Sequence, residues 1–87
     1  MATIYKFSSQ TCAPCNALAK TFEGVDLKGI RLVEVDIDEN PNHEKAAGLR
    51  GVPTMIVCDI NGVEVERKVG ALNAIQLQHL IDRVYHM

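Results

Sequence analysis

Residues 4–22 read IYKFSSQTCAPCNALAKTF, and this stretch combines a strand pattern with a helix pattern. Its first letters are mostly aromatic and β-branched, which is typical of a β-strand, and the polar letters that follow predict a loop. The run rich in alanine and leucine then predicts a helix that ends at Gly24. Cys12 and Cys15 stand where this helix begins. The stretch therefore predicts a strand, a loop and a helix that carries two thiols in its first turn.

The rest of the chain also alternates strand and helix patterns. We expect a second strand, a short second helix, two strands joined by a tight turn, and a last helix with an apolar stripe. The predicted bounds are Ile30–Ile37 for the strand, Asn42–Ala47 for the short helix stopped by Gly48, Thr54–Cys58 and Val63–Val69 for the strands around Asn61-Gly62, and the stretch capped by Asn73 for the last helix.

The resulting order, βαβαββα, predicts an α/β fold with a four-stranded mixed sheet flanked by three helices. The first two strands can pair in parallel because a helix connects them, and the last two form an antiparallel hairpin. Because the chain has 87 residues and no internal repeat, we expect a single domain over residues 1–87.

Composition excludes several classes of function. The formal net charge of -2 gives no basic field for a phosphate backbone, so nucleic acid is not an expected direct ligand. No segment approaches the roughly 20 apolar residues that span a bilayer, and the first residues show no secretory pattern. Three cysteines are an odd number for a disulfide-stapled secreted scaffold. These observations predict a protein of the cytoplasm, without a membrane partner and with reactive thiols.

The two cysteines at the start of the helix carry the predicted chemistry. Their spacing places both sulfurs on one side of the helix, close enough to form a disulfide. Free N–H groups and the helix dipole at that end stabilise a thiolate, which makes Cys12 the candidate nucleophile and Cys15 the resolving thiol. Pro14 fits because a proline in the first turn loses no helical hydrogen bond.

The sequence leaves three alternative roles open for the cysteine pair. The pair could belong to a structural zinc site, form a purely structural disulfide, or consist of two inert core residues. A zinc site needs about four ligands, and the remaining candidates are Cys58, His43, His79 and His86, none of which forms a second closely spaced pair. Cys58 is expected to be a buried strand residue, and the three histidines are expected on helix surfaces.

Five blocks of the sequence, in this order, resemble the thioredoxin family. They are Cys12-Ala13-Pro14-Cys15, residues 33–41 (VEVDIDENP), residues 49–54 (LRGVPT), Asn61-Gly62, and residues 68–72 (KVGAL). The resemblance implies a minimal thioredoxin fold and a redox-active disulfide between Cys12 and Cys15, with no bound cofactor and no metal. It also implies protein-disulfide reduction, with disulfide-containing client proteins and an NADPH-dependent thioredoxin reductase as electron donor.

The same resemblance assigns a substrate groove beside the cysteines. Pro53 matches the family's cis-proline, so the Val52–Pro53 peptide bond is expected to be cis and to face the cysteines. Val52 precedes it in the groove, and Gly70 matches a glycine that lines it. Without the resemblance, Pro53 would be only a proline at the start of a strand.

The chain departs from the family in several places. It lacks the extra strand and helix that begin full-length thioredoxins, and the tryptophans that flank their cysteines are replaced by Ser8 and Thr11. Lys6 and Glu34 stand where thioredoxins carry an aspartate and a lysine. We hypothesise that Lys6 and Glu34 pair beneath Cys15, and that Glu34 or a water it orders accepts the Cys15 proton. The alternative is that both are surface residues at strand ends.

Two alternative functions remain open from the sequence. The short length suits a glutaredoxin-like, glutathione-dependent reductase. The groove around Pro53 would also suit a redox-independent accessory or scaffold subunit that holds another protein.

Overall fold

The structure is a computed structural model that describes residues 2–46 and 48–87. Four strands, two α-helices and one turn of 3-10 helix make up its regular elements. In chain order these are β1 (Thr3–Ser8), α1 (Ala13–Glu23), β2 (Arg31–Asp36), the 3-10 turn (Glu44–Ala46), β3 (Thr54–Cys58), β4 (Glu64–Val69) and α2 (Ala74–Tyr85).

The strands form one mixed sheet in the order β2-β1-β3-β4. β1 pairs with β2 in parallel, as expected for strands that a helix connects, and β3 pairs antiparallel with both β1 and β4. The four-stranded mixed sheet predicted from the sequence is therefore confirmed. Because β1 and β3 are the central strands, the loops that follow β1 and precede β3 meet at one end of the sheet.

Each face of the sheet carries its own apolar cluster, because side chains alternate along a strand. The larger cluster joins Ile4, Met55 and Val57 to the inner sides of α1 and α2. The smaller cluster lies on the opposite face, around Phe7 and Ile56. All five residues of β3 are buried, since both of its faces are covered.

The prediction of a helix at 42–47 is wrong, because among the described residues of this segment, 42–46, only a single 3-10 turn forms. These residues offer no apolar stripe along which a longer helix could pack. Tertiary contacts hold the turn instead, since the His43 ring meets the Phe7 ring edge-on at 5.5 Å and Lys45 Nζ donates to Gly62 O at 2.9 Å. Two α-helices, not three, flank the described sheet. The predicted last helical residue, Ala47, lies outside the described residues.

The predicted hairpin and the last helix are confirmed. Gly62 has a φ of 82°, a left-handed conformation that glycine adopts without strain, and Asp59 accepts from Asn61 N at 2.9 Å within the same turn. α2 begins after Asn73, and its buried residues Leu77, Leu80, Ile81 and Val84 form one stripe. Each fully buried leucine or isoleucine stabilises the fold by roughly 1.5–3 kcal/mol. Within the described part of the chain, no helix combines the length and apolarity needed to span a membrane.

Candidate active site

The N-terminus of α1 is built on the two cysteines. Cys12 is the N-cap, with extended backbone angles, and Pro14 lies in the first turn. Proline is suited to that turn because its missing N–H would have no helical acceptor there. The Cys12 Sγ accepts a hydrogen bond from the Cys15 N–H at 3.1 Å. A sulfur atom therefore occupies the capping position that a serine or aspartate oxygen usually fills.

Cys12 and Cys15 form a disulfide, with their Cα atoms 5.1 Å apart. The two sulfurs differ in environment, since Cys15 is only 3% exposed whereas Cys12 is half-buried. A disulfide at this position can be opened by thiol exchange, and the resulting dithiol can close again by reducing another disulfide. The more accessible Cys12 can reach another molecule, while Cys15 is confined beneath the helix start.

The loop before β3 faces this disulfide. The Val52–Pro53 peptide bond is cis, as expected. The Cys12 Sγ lies 3.7 Å from Val52 O, and Pro53 O accepts from the Gly70 N–H at 2.8 Å. Gly70 has a φ of 93°, which favours glycine. The structure thus brings Val52, Pro53 and Gly70, 40 to 58 residues after Cys12 in the sequence, to the same end of the sheet.

Lys6 and Glu34 form the expected ion pair, with Lys6 Nζ 2.7 Å from Glu34 Oε1. They are register partners on the parallel strands β1 and β2. The pair is asymmetric, because the Lys6 side chain is 5% exposed and that of Glu34 is 65% exposed. Lys6 Nζ also lies 5.1 Å from the centroid of the Phe22 ring, a cation–π contact with the inner side of α1. Burial of Lys6 contradicts the alternative that both residues lie on the surface.

The Lys6 ammonium contacts the C-terminal part of α1, whereas the disulfide lies at the N-terminus of that helix. Cys15 and Phe22 are seven residues apart on that helix, which corresponds to about 10 Å along its axis. The contact of the ion pair with α1 therefore lies about two turns after Cys15 along the helix.

The loop before Cys12 makes side-chain contacts that sequence reasoning missed. Ser9 Oγ donates to Asp38 Oδ2 at 2.9 Å, and Gln10 Nε2 donates to Asp36 Oδ2 at 3.3 Å. These contacts join residues 26 to 29 positions apart. The only signal in the sequence was that both segments are polar and follow neighbouring parallel strands, whose C-terminal ends meet at one edge of the sheet.

The remaining cysteine and histidines lie away from the disulfide. Cys58 is buried in β3, as expected, and burial is the main cause that raises the pKa of its thiol. The expectation that His43 lies on a helix surface is wrong, because its half-buried ring packs edge-on against Tyr5 and Phe7. Among the described residues, no three histidine, cysteine or acidic side chains are grouped as a metal site requires.

The comparisons with known proteins agree with this geometry. The family model described as Thioredoxin matches residues 1–83. A thioredoxin from Acidithiobacillus ferridurans is 33% identical over 79 residues, which cover 87% of this chain and 72% of the relative. A thioredoxin from Pseudomonas aeruginosa is 34% identical over 77 residues, covering 85% of this chain and 70% of the relative.

A solved structure of a mutant thioredoxin from Halobacterium salinarum superposes with a TM-score of 0.79 at 30% identity, covering 95% of this chain and 74% of that one. The matches in sequence and fold do not favour the glutaredoxin-like or scaffold alternatives. With a cysteine pair joined at the start of α1 and a family match over nearly its whole length, the chain belongs to the thioredoxin family of thiol–disulfide oxidoreductases.

Proposed function

We propose that this oxidoreductase reduces disulfides of client proteins, with Cys12 as the attacking thiol and Cys15 as the resolving thiol. The observation that carries the assignment is the contrast between the two sulfurs. Cys12 is the more accessible one and accepts the Cys15 N–H at the helix N-terminus, whereas Cys15 is buried. An N–H donor and the positive end of the helix dipole favour the Cys12 thiolate.

In the proposed reaction, the Cys12 thiolate attacks one sulfur of the client disulfide. The client S–S bond breaks as the bond between Cys12 and the attacked client sulfur forms. The other client sulfur leaves as a thiolate that takes up a proton. The Cys15 thiol loses its proton and attacks the Cys12 sulfur. This breaks the mixed disulfide, and the client sulfur that was bonded to Cys12 leaves as a thiolate that takes up a proton. Two electrons pass to the client, and the Cys12–Cys15 disulfide found in the structure is the product.

Client binding is assigned to Val52, Pro53 and Gly70. The support is their position, because Val52 O lies 3.7 Å from the attacking sulfur and Gly70 is hydrogen-bonded to Pro53. A client strand lying along this loop would place its disulfide at Cys12. Pro14 supports the site by stiffening the first turn of α1 between the two cysteines.

Lys6 and Glu34 are proposed to support the resolving step through a water that Glu34 orders, which would accept the Cys15 proton. The support is the ion pair beneath α1. The pH dependence of disulfide reduction tests this role in Lys6→Ala and Glu34→Gln. A shift in both variants is expected, and unchanged profiles would exclude it.

The electron donor is proposed to be an NADPH-dependent thioredoxin reductase, and the compartment the cytoplasm. The protein itself would need no bound cofactor besides its disulfide. Reduction of the oxidised protein by a thioredoxin reductase with NADPH, compared with reduction by glutathione alone, tests the donor. Faster reduction by glutathione would contradict it.

Trapping tests the assignment of the two thiols. Cys15→Ser can attack a client but cannot resolve, so it is expected to accumulate a mixed disulfide with insulin, visible as a mass adduct that dithiothreitol removes. Cys12→Ser should form no such adduct. Cys58→Ala is the matched control, since it removes the third cysteine and should retain insulin reduction. An adduct on Cys12→Ser would reverse the assignment.

A further inference from the structure

Two loops at the C-terminal ends of β1 and β2 are joined by side chains beside the disulfide. Ser9, in the loop before Cys12, donates its hydroxyl to Asp38 Oδ2 at 2.9 Å. Asp38 is itself held, because its backbone N–H donates to Asp36 Oδ1 at 2.9 Å. The main chains also meet, with Ile37 N donating to Ser8 O at 2.9 Å. The Asp38 carboxylate is exposed and lies against the loop that leads into α1.

Ser9 connects this contact to Cys12. The Ser9 carbonyl accepts the Cys12 N–H at 3.3 Å, in the turn just before the helix. That turn leaves Cys12 with extended angles, φ -98° and ψ 108°. These angles place Sγ where it accepts the Cys15 N–H. One residue thus binds Asp38 through its side chain and Cys12 through its backbone.

We propose that Asp38 is a positioning residue for the reduced enzyme, acting through Ser9 on the Cys12 sulfur; this inference rests on the proposed role of Cys12 as the attacking thiol. In the disulfide, a covalent bond fixes the sulfur. Once that bond is reduced, the Cys12 side chain is held only by its backbone and its hydrogen bonds. The Asp38–Ser9 contact then keeps the N-cap geometry in which the Cys15 N–H stabilises the thiolate.

The alternative is that Asp38 acts only through its charge, and the two effects have opposite signs. A carboxylate near a thiol disfavours the thiolate, so its removal by itself would lower the thiol pKa. Loss of positioning removes an N–H donor from the thiolate, which raises the thiol pKa. The direction of the change in the thiol pKa therefore distinguishes positioning from a pure charge effect.

The test is the pH dependence of alkylation of the reduced protein by iodoacetamide, a small reagent that needs no client groove. Ser9→Ala is expected to slow alkylation of Cys12 near neutral pH by about threefold and to move the midpoint upward, which is the scale of one lost hydrogen bond. Asp38→Ala should move the midpoint in the same direction by less, because loss of its charge opposes loss of the contact. Asp38→Asn keeps an oxygen acceptor without the charge, so its midpoint should stay at or below that of the parent.

Two further comparisons sharpen the result. The double variant Ser9→Ala/Asp38→Ala should be no slower than Ser9→Ala, because Ser9→Ala already removes the contact with Asp38 together with the contact between Ser9 and Thr11. Glu39→Gln removes a neighbouring exposed carboxylate and is the matched charge control, expected to lack the upward shift. A cooperative thermal unfolding transition shows that each variant is folded. If Asp38→Ala does not fold, Ser9→Ala still tests the proposal.

An unchanged or lower midpoint in Ser9→Ala would overturn the proposal, as would equal effects of Asp38→Asn and Asp38→Ala. Failure of the proposed function looks different. In that case Cys12→Ser would retain insulin reduction, or alkylation of the parent protein would occur elsewhere than Cys12. The site of alkylation is read by peptide mass mapping in the same experiment.

Discussion

The two α-helices begin with different capping groups, although both need the same backbone N–H groups satisfied. At α2, Asn73 Oδ1 accepts from Gln76 N at 2.8 Å, and Gln76 Oε1 accepts from Asn73 N at 3.0 Å, a reciprocal capping box. At α1, the single Cys12 sulfur accepts from Cys15 N at 3.1 Å. The α2 start is suited to stability, whereas the α1 start uses a weaker acceptor that can react.

The largest expected effect follows from replacing the reactive cap by an inert one. Cys12→Ser supplies an oxygen cap, so the fold should persist while insulin reduction falls by about a thousandfold or more, as expected when a nucleophile is removed. Turnover is measured by insulin precipitation with dithiothreitol as reductant, and circular dichroism reports folding. Activity close to that of the parent would mean that the α1 cap is not the reactive group.

The second prediction concerns a substitution that weakens the unreactive cap at the start of α2. Asn73→Ala removes one half of the capping box at α2 and should lower the free energy of unfolding by about 1 kcal/mol. Urea denaturation of the oxidised protein measures the change. Reduction of insulin by the folded variant should be unchanged, since Asn73 caps the helix that does not carry the cysteines. A loss of activity without a loss of stability would contradict this division between the two helices.

The third prediction measures what a capping acceptor at position 12 contributes to stability. In the reduced protein, Cys12→Ser should be more stable than Cys12→Ala by about 0.5–1 kcal/mol, because serine caps a helix and alanine does not. Both variants lack the disulfide, so they differ only at the capping atom. Equal urea midpoints would show that the capping contact at α1 adds no stability.

The smallest expected effect concerns how α2 is tied to the segment after α1. Asp82 binds Lys28 at 2.8 Å, and the hydrogen bonds from Lys28 and then from Gln78 lower the pKa of the Asp82 carboxyl. A lowered pKa in the folded state gives stability that is present above the unfolded value of about 3.9 and is lost as the pH falls through the folded value.

Asp82→Asn should therefore lose slightly less stability than the parent between about pH 5 and pH 2. Thermal unfolding across this range measures the difference. Glu39→Gln serves as the comparison, because it removes an exposed carboxylate from the loop after β2, far along the chain from α2. An identical acid dependence in the parent and Asp82→Asn would show that this ion pair does not contribute.

Much of this architecture could be predicted because it depends on local patterns. Strand β3 formed over the predicted residues, the asparagine cap began α2 as expected, and the cysteine pair marked the start of α1. The helix prediction for 42–47 was wrong because contacts with distant residues hold a 3-10 turn there. The His43 ring packs against the Phe7 ring, and Lys45 Nζ donates to Gly62 O. Such contacts between distant residues leave no periodic signal in the sequence.

The candidate site shows the same division. Lys6 and Glu34 could be placed as neighbours, because parallel pairing of β1 and β2 makes them register partners. The direction of the Lys6 side chain toward Phe22 could not, since it depends on how α1 packs. The Ser9–Asp38 contact likewise depends on two loop conformations that no single motif encodes.

The outer edge of β2 has a consequence for behaviour in concentrated solution. In the part of the chain that the structure describes, β2 is an edge strand, with β1 as its partner on one side. Arg31 and Glu34 are exposed along it. An approaching strand of another molecule would have to desolvate these charges before its backbone could pair, which disfavours edge-to-edge aggregation. The charged edge therefore helps to keep neighbouring molecules apart without covering the end of the sheet that carries the disulfide.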